Sequence, residues 1–138
     1  MKREFFRKIA FTAICLTAIA VLTTSCSKDD DEAANHKLKF QLTGNYTGNL
    51  KATLTYGDQQ NADAETEDVS KLPWTKEVDV KGPYAMGIGV MTWDKSGKKG
   101  EKVNIKLYVD GVEVKSTSAT ADADGDVMSN IIQYTGGN

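Results

Sequence analysis

Two cysteines and one histidine are the only thiol and imidazole groups in this 138-residue chain. A zinc site needs three or four such ligands, and a Ser, His and Asp triad needs an imidazole held firmly beside a hydroxyl. His36 meets neither requirement, because it follows the acidic stretch ending at Glu32 and reads as part of a flexible segment. Asp122, Asp124 and Asp126 around Gly125 invite calcium, which takes several carboxylate oxygens at about 2.3–2.6 Å. Placing Gly125 sixth in an EF-hand loop puts Thr120 first and Ile131 twelfth, where Asp and Glu are required. The cluster therefore reads as an Asp- and Gly-rich turn, and the acidic stretch with Asp63, Glu65, Glu67 and Asp68 reads no differently. Most carboxylates fall at turns or polar strand positions, which suits a solvated surface better than a glycoside-hydrolysing pair. Gly87-Ile88-Gly89 lies within a strand pattern rather than before a helix, so it is no phosphate loop. The expectation is a protein that is not an enzyme and holds no metal or cofactor.

Cys26 is the exception. Lys2, Arg3, Arg7 and Lys8 make a positive head, Ile9 to Leu22 an apolar run, and Thr23, Thr24 and Ser25 a small-residue approach to the cysteine. That is the layout of a secretory signal, and VLTTSCSKDDDE at 21–32 resembles a bacterial lipobox. The resemblance implies a diacylated Cys26 thiol, cleavage before the cysteine, and acylation of the new amino group. Two or three chains at about 0.8 kcal/mol per buried methylene give durable attachment, where one gives marginal binding. The competing reading keeps Ile9 to Leu22 as an anchor helix, but fourteen residues at about 1.5 Å span about 21 Å, short of the roughly 30 Å hydrocarbon core. Ser27, Lys28, Asp29, Asp30 and Asp31 follow the cysteine. They look like the serine-plus-acid export signal of surface lipoproteins in Bacteroidota, which implies an outer-membrane, cell-surface location. As plain chemistry, the same block of like charges is an extended, solvated linker.

Three segments follow: a signal at 1–25, a lipidated cysteine with acidic tether at 26–36, and one domain at 37–138. Beyond residue 25 the chain carries 13 basic and 18 acidic residues, a net charge of −5. Nucleic acid and anionic lipid faces are poor partners for that charge. With Cys15 in the signal and Cys26 acylated, no thiol is left to cross-link the domain. It must hold together by apolar packing alone.

From Lys37 onward apolar residues alternate, the period of half-buried strands. Leu38, Phe40 and Leu42 begin the pattern; Leu50, Ala52, Leu54 and Tyr56 repeat it; Trp74, Lys76, Val78 and Val80 share one parity. Gln59 to Asp68 reads as a polar loop. Between Tyr84 and Trp93 both faces are apolar or small, and Gly87 and Gly89 suggest a large side chain, Trp74 or Trp93, lying over the backbone. Asp94 to Gly100 is a loop, and Val103 to Val114 forms a hairpin through Asp110-Gly111, the pair a type I′ turn requires. Asp124-Gly125 marks another turn, and Val127 to Tyr134 a closing strand. Seven or eight short strands without a helix argue for an all-β antiparallel sandwich; an up-and-down barrel is the competing architecture, but 57–68 and 94–100 fit Greek-key crossovers better. Among the aromatics, Tyr46, Tyr84 and Tyr134 are further options for a binding face. Tyr108 and Trp93 are the candidate binding surface: Tyr108 shares the outward parity of Asn104 and Lys106, while core packing is the ordinary fate of Trp74 and Trp93.

LPWTKEVDVKG at 72–82 and VNIKLYVDGVEVK at 103–115 resemble the extracytoplasmic domain of the mycobacterial MmpS transport accessory proteins. The resemblance spans roughly residues 43 to 134 and implies a small immunoglobulin-like sandwich acting beside a lipid exporter. Mycobacterial members keep a spanning helix where this chain has a lipid signal. The family often carries cysteines near the equivalents of Ile105 and Ile131, which implies an apolar contact in place of a cross-link here. The expected role is a lipid-anchored, surface-displayed binding or structural module whose partner is a protein or a glycan. The alternatives are a periplasm-facing accessory subunit of an envelope transporter, and a small glycan-binding module.

Overall fold

The computed structural model describes residues 33–137, so Cys26, the residues before it and the acidic stretch to Glu32 lie outside the described part. Eight strands follow one another: β1 (Asn35–Gly44), β2 (Leu50–Asp58), β3 (Ala62–Val69), β4 (Trp74–Lys81), β5 (Tyr84–Thr92), β6 (Lys102–Val109), β7 (Val112–Thr120) and β8 (Ile132–Gly136). They form two four-stranded antiparallel sheets, ordered β4-β1-β6-β7 and β3-β2-β5-β8. We call them sheet A and sheet B. The chain is an all-β sandwich, and its alternating residues explain why. Leu38, Phe40 and Leu42 of β1 and Val103, Ile105 and Leu107 of β6 pack inward from sheet A against Leu50, Ala52 and Leu54 of β2 and Met86, Ile88 and Val90 of β5 from sheet B. Full burial of each larger aliphatic side chain is worth about 1.5–3 kcal/mol, before the cost of ordering the chain.

The β6–β7 hairpin follows its sequence signal: Asp110 and Gly111 have φ of 50° and 83°, both positive as a type I′ turn needs. Four expectations are corrected. Gln59 to Asp68 is no loop; the turn occupies 59–61, with the Asp58 carboxylate accepting the Gln60 and Asn61 N–H groups at 2.7 and 2.8 Å, and β3 follows. Strand β3 looked like a loop because it is an edge strand whose inner positions, Glu65 and Glu67, meet Lys76 of β4 instead of a greasy core. Val127 to Tyr134 is not one strand, since only Met128 bridges to Met91 before β8 begins at Ile132. The sheet starts at Asn35, so Asn35 and His36 belong to β1. Finally, neither tryptophan covers the β5 glycines. A methyl group on Gly89 would meet Ile131 Cγ1 at 2.8 Å, and one on Gly87 would meet Thr55 Oγ1 at 2.6 Å.

The two seams between the sheets close differently. At the β3/β4 seam, Lys76 Nζ pairs with Glu65 at 2.8 Å and with Glu67, and the Tyr56 hydroxyl donates to Glu65 at 2.5 Å. Charged groups pointing inward from edge strands deny a further strand an apolar place to pair. At the β7/β8 seam, Lys115 Nζ donates to the Gln133 carbonyl at 3.0 Å.

Candidate functional site

β1 runs away from the point where residues before Asn35 join, so the sandwich has two distinct ends. At the joining end, the Ala34 carbonyl accepts the Gly82 N–H at 2.8 Å and the Asp110 carboxylate accepts the Lys37 N–H at 2.8 Å. His36 Nδ1 lies 2.9 Å from Asp110 Oδ2, and its ring packs on Tyr84 with centroids 4.9 Å apart. The Lys37 amide, then the His36 ring, hold the Asp110 carboxyl below its usual range. His36 is therefore a strand residue with a carboxylate partner, which the acidic stretch preceding it concealed.

At the far end, Tyr46 ties three loops together. Its hydroxyl donates to the Gly125 carbonyl at 3.0 Å, accepts the Gly97 N–H at 3.1 Å and lies 2.7 Å from Thr92 Oγ1, which accepts the Val127 N–H at 2.6 Å. Tyr46 is thus an interior strut and not part of a binding face. The aspartates beside it are occupied by the turn. Asp122 Oδ1 accepts the Asp124 and Asp126 N–H groups, each at 2.9 Å, and Asp126 accepts the Ser96 hydroxyl at 2.6 Å. Among the described residues, no group of three His, Cys, Asp or Glu side chains is placed to hold a metal ion.

The two candidate aromatics lie on different sheets. Tyr108 points outward from β6, donates its hydroxyl to Gln41 at 3.1 Å and has Lys39 Nζ 5.1 Å from its ring centre. Around it sheet A presents Lys37, Lys39, Glu77, Asp79, Lys106 and Glu113, a solvated charged face. Trp93 follows β5 on sheet B and is 51% exposed, so the expectation of core packing fails for it, while Trp74 is half-buried against the core. Lys51 Nζ sits 3.8 Å from the Trp93 ring centre and 3.4 Å from Asp68, which lies beside it on β3.

Met91, Met128 and Ile131 extend the patch, with exposures of 42%, 76% and 56%. Together with Lys51, Thr53, Gly89 and Ser129 they line an open groove of about 150 Å³. Thr53 pairs with Gly89 along its floor, and Ile131 packs over that glycine as one wall. Alternation could find Met91 and Gly89, but Met128 and Ile131 reach the groove from an irregular segment that periodicity does not place. Ile131 lies over the outer side of β5 while Ile105 is fully buried in the core, so the apolar contact implied for that pair is not made.

No helix among the described residues is long and apolar enough to cross a membrane. In comparisons with known proteins, no family model matches the chain and no curated protein is significantly similar to it.

Proposed function

We propose that this protein is a lipid-anchored, non-catalytic module of a bacterial outer membrane, displayed on the cell surface, that binds a macromolecular partner through the outer face of sheet B. The observation that carries the binding role is the shared exposure of Trp93, Met91, Met128 and Ile131, since a patch of this kind on a small domain marks an interaction site. The anchoring role rests on Cys26 and the sequence around it. The two fit one another. Strand β1 begins at Asn35, and eight or nine strand residues at about 3.3 Å place the patch roughly 25–30 Å from that point. An anchor at one end leaves the other free for a partner.

Cys26→Ser, expressed in the native host, tests the anchor. The expected result is an unprocessed precursor lost from the lipid-modified membrane fraction; normal attachment of the variant would refute it. Protease treatment of intact cells tests display, with removal of the folded domain expected and protection contradicting a surface location.

A further inference from the structure

We infer that the outer face of sheet B is a self-association surface, through which two copies of this chain pack face to face on the same membrane. The two faces of the sandwich differ in a way that points to one of them. Sheet A is covered with unlike charges, whereas the strands of sheet B present small and uncharged residues, Thr53, Thr55, Thr66, Gly87 and Gly89 among them. The only ionic groups on the strands of that face are Lys51 and Asp68, and they neutralise each other at 3.4 Å. Burying many charged groups against a second copy costs their hydration, and this face would bury a single ion pair.

Shape agrees with charge. The same face holds a groove and, beside it, the protruding side chain of Met128, so a two-fold axis sets knob against groove. Four strands about 4.8 Å apart and about eight residues long give a face of about 500 Å², or about 1,000 Å² buried by two copies. That lies at the threshold for a specific interface, which suits an association made on a membrane, where confinement raises effective concentration. Aligned sheet packing about a two-fold axis parallel to the strands also keeps both β1 entries at one end, as two anchors in one bilayer require. This last point alone rests on the proposed anchoring; the charge and shape of the face do not.

Cross-linking in native membranes tests the inference with the full-length protein. Thr53 lies exposed at the centre of sheet B and Ser118 is exposed on the outer side of sheet A. Under mild oxidation Thr53→Cys is expected to run at twice the chain mass and Ser118→Cys to stay at the mass of one chain. A second pair removes dependence on disulfide geometry: Thr53→Lys and Thr53→Glu should each lose self-association when made alone and regain it when mixed. A Thr53→Cys chain that remains single, equal cross-linking of both cysteine variants, or an adduct with a different protein would each overturn the proposal. Membrane attachment, measured on the same samples, separates failure of this surface from failure of the anchor.

Discussion

Trp93 and Tyr46 show how differently two aromatic residues at one end of the sandwich are used. Trp93 spends half its surface on solvent and touches Lys51, an exposed cation–π contact worth about 0.5–1 kcal/mol. Trp93→Ala should therefore lower stability by no more than about 1 kcal/mol in urea unfolding, while weakening association through sheet B. Tyr46 is buried, and its hydroxyl serves the loops that hold Trp93 in place. Tyr46→Phe leaves the Gly125 carbonyl and the Thr92 hydroxyl without that partner, and the same unfolding experiment should show a loss of roughly 1–3 kcal/mol. Gly125 supplies a third case. Its φ of +84° and a neighbouring Gly97 carbonyl 2.2 Å from where a methyl group would sit leave no room for alanine. Gly125→Ala should cost roughly 1–3 kcal/mol or more, from strain that no other loop contact relieves.

At the scale of elements, the seam between β3 and β4 ties stability to pH. Lys76, then Tyr56, lower the Glu65 pKa, while Glu65 and Glu67 raise that of Lys76. Glu101 is lowered as well, by the Lys98 and Thr47 amides, as is Asp110. Carboxylates with depressed folded values stabilise fully above their unfolded values of about 4, and that contribution is lost as pH falls through the folded values. Lys76 acts in the opposite sense, stabilising below about pH 10 and losing that contribution as pH rises through its raised value. Melting temperature should therefore fall on the acid side of about pH 4, and Glu65→Gln should flatten that limb. Strand β3 also marks where sequence reading fails. Strands β1, β2, β5 and β6 alternate because their inner faces are buried, and Asp110-Gly111 names its own turn. On β3 the inner residues answer a lysine on another strand, a fact that exists only after the sheets have packed.

For the molecule as a whole, alternation, turn residues and the absence of a helical period were enough to place the chain among antiparallel sandwiches. The candidate surface was only half readable. Trp93 could be named, yet its exposure depends on where β5 ends, and Met128 and Ile131 join it through an irregular segment without a period. Tyr108 was found on the correct face of its strand, but the charges around it set it apart from the groove. The asymmetry between the charged outer face of sheet A and the largely uncharged outer face of sheet B, like the separation of the chain's entry point from Trp93, emerges only from the topology. Both bear on the proposal of a body tethered at one end and open to a partner at the other. The most direct measurement is the intact mass of the N-terminal peptide of the mature protein taken from membranes of its natural host. The expected peptide begins at Cys26 and carries the mass of two or three fatty chains. A free Cys26 thiol, or a peptide retaining residues 1–25, would contradict it.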